Sequence, residues 1–422
     1  MGFNFNGFLR FTWQLLSGVR DPAFTWTRRR LIILAAFYLA YPLLELVTWS
    51  GFAMDAIFFR GYEQVPVRAP VFIVGNPRSG TTLLHRLLSQ DRDQFTTMRM
   101  WEVLFAPSIL QRRLVRALTS LDRRLGSPLG RRVADVETGW QEQSVMHRVS
   151  LTAPEEDDYL LLHIWSALTI GLSSGLVHQA LPYTYFDTVL SEPERARIMG
   201  FYRKCVQRHL WARGHRSGNK RYLAKNPALS PKLATVWEFF PDARVIYIVR
   251  NPLEMVPSYL DMMEFSWRTI GVPIEGDTLR DYILEMAEHW YTYPLRLFET
   301  VPQDKYAVVR YDDLEDDPEA VITAIYQRFG YDMSPAYADL LHRQAEKARK
   351  FRSRHDYSLQ GVGLTREQIR DRFSEVFERF AFPPAETVDS GTGDVAWQES
   401  TEATGEAEAG LPLGLGSGGA GA

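Results

Sequence analysis

The most hydrophobic part of the chain lies near its start. Residues 31–49 are mostly apolar, interrupted by Pro42 and Glu45, and after Ser50-Gly51 the run resumes over 52–59. Arg28, Arg29 and Arg30 stand just before it. This stretch comes close to the ~20 residues that a bilayer crossing needs. A basic cluster ahead of an apolar run also has the outline of a secretory signal, but no small-residue cleavage site follows. The pattern therefore admits a spanning helix, a helix lying in the membrane interface, or a helix packed on the main domain. From residue 71 the pattern changes. Val71-Phe72-Ile73-Val74 reads as a buried strand, Gly75 to Gly80 as a tight turn, and Leu83, Leu84, Leu87 and Leu88 as one face of a helix. Further strands are expected at 221–224, 243–249 and 306–311. Helices are expected at 110–132, 195–213, 230–240 and 364–380, and from Pro252 and Pro318. The acids of Pro154-Glu155-Glu156-Asp157-Asp158, ahead of Tyr159 and three leucines, read as a helix start. Strands alternating with helices predict an α/β fold with a parallel sheet covered on both faces.

The expected organisation has three parts. Residues 1–65 carry the apolar, membrane-associated helix. Residues 66–382 form the main domain, with a helical insert at about 101–220. Residues 383–422, rich in Gly, Ala and Glu, are expected to be a disordered tail. No internal repeat is visible. At 422 residues the chain can bury a sizeable core, and its 45% hydrophobic and 23% charged content is that of an ordinary globular protein. The formal net charge of −3 gives no global basic field for nucleic acid. One cysteine, Cys205, excludes internal disulfides and cysteine-based metal clusters. No Asn-x-Ser/Thr acceptor occurs, since Asn76, Asn226 and Asn251 each precede proline. A reducing compartment is the natural setting. Only seven of the 48 basic residues are Lys. The Arg-rich stretch 110–132 reads as a solvated helical face that can also touch anionic lipid.

Strand, Gly-bounded loop and helix form a phosphate cradle, in which backbone N–H groups and a helix N-terminus face an anion. The spacing Gly75-x-x-x-x-Gly80 matches the nucleoside-triphosphate loop, which places Lys and then Ser/Thr after the second glycine. Here Thr81 and Thr82 follow, and the fixed cation is Arg78, inside the loop. A kinase or NTPase also needs a metal-holding Asp at the end of a second strand. The strand at 243–249 ends in Arg250 instead. Arg78, Arg250 and Lys225 thus put three cations at the strand ends, with no Mg²⁺ ligand in view. That set suits a polyanionic nucleotide bound without metal.

Two motifs then resemble the PAPS-dependent sulfotransferases, which take sulfate from 3′-phosphoadenosine 5′-phosphosulfate. Asn76-Pro77-Arg78-Ser79-Gly80-Thr81-Thr82 looks like that family's 5′-phosphosulfate loop. Arg250-x-Pro252-x5-Ser258 looks like its 3′-phosphate site. The segment from Tyr222-Leu223-Ala224-Lys225-Asn226-Pro227 to Phe240-Pro241-Asp242-Ala243 resembles the bacterial branch. The likeness covers residues 66–382 and implies a P-loop-like three-layer fold with a central parallel sheet. It implies PAPS as co-substrate and no metal. Pro77, Arg78, Ser79, Gly80, Thr81 and Thr82 would hold the 5′-phosphosulfate, and Arg250 with Ser258 the 3′-phosphate. Arg78 and Lys225 would act in catalysis, Arg78 on the bridging oxygen.

The acceptor hydroxyl must lose a proton as it attacks sulfur, so a carboxylate or histidine is needed beside it. The cytosolic branch uses a histidine two residues after the central lysine, a place held here by Pro227. The tyrosyl-protein branch uses a glutamate about twenty residues past the loop, and Glu102, after Trp101, lies near that distance with a small shift. Glu102 is the first candidate, followed by His147 and by Glu155 or Glu156, while His85 and His163 read as structural. Positive-inside logic would export a domain that uses an intracellular nucleotide, so the apolar helix is expected on the inner membrane face. A lipid-linked or hydrophobic hydroxyl acceptor follows, with a carbohydrate hydroxyl as the alternative. Rivals from other classes are a kinase-like enzyme, marked by Mg²⁺-ATP binding, and a non-catalytic membrane-associated nucleotide-binding protein.

Overall fold

A computed structural model describes residues 2–17, 27–143, 150–272, 277–350 and 359–382. The predicted tail and His147 lie outside the described residues. Five parallel strands form the central sheet: β1 Val71–Gly75, β2 Phe95–Thr96, β3 Arg221–Lys225, β4 Arg244–Val249 and β5 Tyr306–Arg310. Their order is β2-β3-β1-β4-β5. The apolar runs at 71, 221, 243 and 306 all became strands. The two-residue edge strand β2 is too short to leave a pattern.

Alternation along the strands divides the core into two layers. Val71, Ile73, Ile246, Ile248 and Leu223 face helix α3, Thr81–Leu88, and the helix Pro318–Phe329. On the other side Phe72 packs on Tyr202 and Phe240, and Tyr247 on Phe298. The chain builds one side of β1 first and then crosses to β4 on the other. The β1/β4 boundary is therefore the switch point, where ligands bind at the carboxyl ends of the strands. In register, Gly75 stands beside Ile248 and Ile73 beside Lys225, which brings three loops to one edge.

Between β2 and β3 lies a helical region that includes α4 Met100–Leu104, α5 Ile109–Arg124, α6 Pro128–Gln143 and the long helix Glu192–Ala212. The single helix expected at 110–132 is two helices, broken where Gly126 and Ser127 take φ of +86° and +59°. The helix expected at 364–380 is likewise Arg366–Arg372 and Ser374–Phe380, opened by the Thr365 cap. Acids 154–158 start no α-helix. They lead into a 3-10 turn over Asp157–Ile164.

At the N-terminus α1 spans Phe5–Ser17 and α2 runs unbroken over Arg28–Phe58, through Pro42 and Gly51. By length and composition α2 is long and apolar enough to cross a membrane. Helix α1 was not foreseen. Its Phe11 and Leu15 pack on Trp165, with Phe37 and Tyr41 of α2 in the same cluster.

Candidate active site

The phosphate loop leaves the sheet through backbone shapes that its sequence permits. Gly75 has φ +138°, and a Cβ there would stand 2.3 Å from the carbonyl oxygen of Ile248. Only glycine lets the loop turn that close to β4. Arg78 takes the left-handed region at φ +66°, uncommon for a residue with a side chain. Gly80, at φ +84°, is the N-cap of α3, and a Cβ there would meet the Tyr311 ring at 2.6 Å. No side-chain hydrogen bond caps α3, so its first-turn N–H groups are not satisfied by a capping side chain. The Ser79 hydroxyl and the Asn76 side-chain oxygen are buried and make no hydrogen bond. The loop's shoulder is fixed by Gly75 N–H donating to Ser230 Oγ at 3.0 Å and Asn76 Nδ2 donating to the Ala287 carbonyl at 3.3 Å.

The second strand end closes on the loop. Arg78 Nε donates to Ser258 Oγ at 3.0 Å, and Arg250 Nη1 to the Arg78 carbonyl at 2.9 Å. The Arg250 guanidinium lies 4.3 Å above the Tyr311 ring, and Tyr291 O–H donates to its carbonyl at 2.7 Å. Nε and Nη2 of Arg250 donate to Glu254 Oε2 at 3.1 and 2.9 Å. Ser258 is buried on the helix Pro252–Ile270, whose start is capped by Asn251 accepting from Leu253 N–H. The structure thus brings Arg78, Arg250 and Ser258 together.

Lys225 closes the third side. Its Nζ donates to Thr82 Oγ1 at 3.3 Å and Glu155 Oε2 at 3.4 Å, and pairs with Glu156 Oε1 at 3.0 Å. Burial alone would depress this lysine, but Glu156 and then Glu155 outweigh it, and its pKa is raised. It is therefore charged. Further along the same acidic run, Asp158 takes Lys232 Nζ at 2.9 Å. Asp157 accepts from Asn226 at 2.8 Å and from Tyr222 at 2.6 Å, and also from Tyr202. Burial pushes Asp157 up to about 6. The acids read as a helix start are instead the counterions and hydrogen-bond acceptors of β3 and its neighbours. Only Glu156 keeps appreciable exposure, 33% of its side chain. Glu155 Oε1 is buried with no hydrogen bond.

Glu102 sits elsewhere. It is fully buried, with Oε2 accepting from Arg99 N–H and Oε1 from Arg213 Nη2, each at 2.9 Å. Burial raises its pKa, but Arg112 and Arg213 more than offset this, and the net shift is downward. None of its hydrogen bonds reaches the loop or Lys225. His85 is buried against Thr97, and burial, then Lys225, push its pKa to about 3, so it is neutral. His163 bonds Glu45 at 2.8 Å and the Val103 carbonyl at 3.0 Å, a structural place. Ser230, Tyr291 and Tyr311 complete the site and carry no local sign of it, because each acts through a contact far along the chain.

An anion cradle at the switch point of a parallel sheet, faced by two arginines where triphosphate enzymes hold metal, defines a P-loop-like group-transfer site. The chain belongs to the sulfotransferase family, whose pattern it matches over residues 70–335, and it is an enzyme of that family. The omega-hydroxy-beta-dihydromenaquinone-9 sulfotransferases Stf3 of Mycobacterium bovis and Mycobacterium tuberculosis are each 26% identical over 366 residues, 82% of this chain and 84% of theirs. In fold it is similar to the crystal structures of STF9 from Mycobacterium avium (TM-score 0.69, 18% identity, 89% of this chain and 91% of that one). STF1 from Mycobacterium tuberculosis is also similar (TM-score 0.64, 20% identity, 89% and 93%).

Proposed function

We propose that this enzyme moves the sulfuryl group of PAPS to a hydroxyl of a lipid-linked or hydrophobic acceptor and releases 3′,5′-ADP. The convergence of the uncapped α3 N-terminus, Arg78, Arg250 and Ser258 on one crevice carries the reading. The buried Ser79 hydroxyl without a partner fits a phosphosulfate oxygen. The first-turn N–H groups of Gly80, Thr81 and Thr82 bind the 5′ group beside Pro77 and Ser79. Arg250 and Ser258 take the 3′-phosphate, Arg250 through its guanidinium fork. Arg78 stabilises charge on the leaving bridging oxygen. As the acceptor oxygen bonds to sulfur, the bond from sulfur to the bridging oxygen breaks and the hydroxyl proton passes to a carboxylate.

That carboxylate is Glu156, held by Lys225 within one side chain of Thr82 and open to an entering acceptor. Glu155, on the same lysine, supports it. Glu102 takes no part in proton transfer, because both its oxygens are engaged and it is shut from solvent. The acceptor class rests on the named substrate of Stf3 and on the apolar α2. The enzyme works at the inner face of the cell membrane, where PAPS is made available and a lipid acceptor is presented.

Purified protein is incubated with ³⁵S-labelled PAPS and a long-chain hydroxylated lipid in detergent, with water-soluble glycans in parallel. Label on the lipid is expected; label on glycans alone would overturn the acceptor class. Glu156→Gln is expected to lower kcat by ~10²–10⁴ with KM for PAPS little changed. Normal turnover in that variant would remove Glu156 as base.

A further inference from the structure

Helix α2 is built inside-out. Its exposed positions from residue 31 onward are Leu31, Ile32, Ala35, Ala36, Leu39, Ala40, Pro42, Leu43, Leu46, Val47, Ser50, Ala53, Met54, Ala56, Ile57 and Phe58, and none is charged. Past its exposed first residues Arg28 and Arg29, its charged side chains Arg30, Glu45 and Asp55 are all buried. A helix on a protein surface in water has the opposite pattern. Leu39 is 80% exposed, and of the helix's most apolar 18-residue stretch only 11% is buried. Two neighbours continue the apolar surface. Helix α1 exposes Phe5, Leu9, Trp13 and Leu16, and α5 exposes Leu114, Leu118 and Leu121.

The buried side of α2 is tied to the domain along much of its length. Tyr41 O–H donates to the Leu162 carbonyl at 2.7 Å, Glu45 bonds His163 at 2.8 Å, and Trp49 Nε1 donates to the His163 carbonyl at 3.1 Å. Asp55 caps α5 by accepting from Ile109 and Leu110 N–H at 2.8 and 3.0 Å, and it pairs with Arg208. A crossing would leave Glu45 and Asp55 in hydrocarbon and break each of these bonds. Cations accompany this surface: Arg28 and Arg29 are exposed in the first turn of α2, and Arg113, Arg123, Arg124, Arg131 and Arg132 are exposed on α5 and α6, with Arg113 packed over Phe59 at 4.4 Å.

We infer that α2, with the exposed faces of α1 and α5, is a monotopic docking surface for an anionic lipid bilayer. Helix α2, about 46 Å long by its 31 residues, lies along the membrane and does not cross it. The exposed leucines enter the acyl boundary, and the arginines meet lipid phosphates. The inference rests on the membrane setting proposed above but not on the chemistry of the site.

Full-length protein is mixed with phosphatidylglycerol/phosphatidylcholine vesicles and the bound fraction measured by sedimentation. The double change Leu39→Glu/Leu43→Glu is expected to lower partitioning at least ~tenfold. Arg123→Glu/Arg124→Glu is expected to weaken binding ~tenfold on anionic vesicles and little on pure phosphatidylcholine. Cysteines introduced at exposed Arg29, in the first turn of α2, and Arg60, just past its end, mark its two ends, and native Cys205 is buried. Reaction of both with an impermeant maleimide from the same side of the membrane supports the inference; reaction from opposite sides overturns it. Unchanged partitioning of the leucine variant, or a soluble dimer that ignores vesicles, also overturns it. Release of 3′,5′-ADP with the long-chain hydroxylated lipid in detergent is followed on parallel samples of the same protein. Docking without PAPS turnover would sink the proposed function and leave this inference standing.

Discussion

Two groups of cations stand on the same edge of the sheet and are set up differently. At the β1 and β4 ends, Arg78 and Arg250 are half-buried and linked to each other through a backbone carbonyl. The carboxylate on Arg250 is Glu254, four residues on and about half exposed. At the β3 end, Lys225 and the following Lys232 are buried, and each is bonded to carboxylates of the acidic run, Glu155, Glu156 and Asp158. In the proposed function Arg250 exchanges its half-exposed carboxylate partner for a phosphate. The second group is committed to protein anions and serves to position them. A cation in a sequence is therefore not yet a cation available to ligand.

Breaking the committed group has the largest expected effect. Lys225→Met leaves Glu155 and Glu156 without their buried partner and is expected to cost ~3–5 kcal/mol of stability by chemical denaturation. A loss under 1 kcal/mol would contradict the pairing. Arg78→Ala strikes the loop cation. It should lower kcat ~10²–10³ with stability nearly unchanged, read by steady-state kinetics beside denaturation. Glu102→Gln sharpens the contrast from outside both groups. It should cost ~1–3 kcal/mol of stability through Arg213 while kcat stays within a few-fold of normal. A collapse of kcat would return Glu102 to the role of base. The smallest effect is Glu254→Gln. Freeing the guanidinium from an exposed pair worth ~0.3–0.5 kcal/mol should tighten 3′,5′-ADP binding about twofold by calorimetry.

Much of the fold was legible because buried parallel strands need apolar runs, and those over 71–74, 222–224, 245–249 and 306–309 stand out from their polar flanks. Arg78 and Arg250 were legible as cations at the loop and at the end of a strand, whereas Ser258 entered only through the resemblance of Arg250-x-Pro252-x5-Ser258 to the sulfotransferase 3′-phosphate motif. Other features depend on distant contacts. Proline followed by acids is the local signature of a helix start, and what made Glu155 and Glu156 counterions is Lys225, 70 and 69 residues away. Gly51 looks like a break in the apolar run, yet the helix continues. A Cβ there would lie 2.5 Å from Ser108 Oγ, so a larger residue would displace the side chain that caps α5. The inference that α2 lies along the membrane rests on which face carries Glu45 and Asp55, and that face is set by where His163 and the α5 N-terminus pack.

The division between available and committed cations is tested most directly by calorimetric binding of 3′,5′-ADP and 5′-AMP, without Mg²⁺, to the native protein and to Arg250→Ala. The account predicts that native protein binds 3′,5′-ADP without metal and more tightly than 5′-AMP. It predicts that Arg250→Ala loses ~10–100-fold in affinity for 3′,5′-ADP and almost none for 5′-AMP, as removal of a charged hydrogen-bond donor to one phosphate requires. Equal losses for the two nucleotides, or no loss for either, would contradict it.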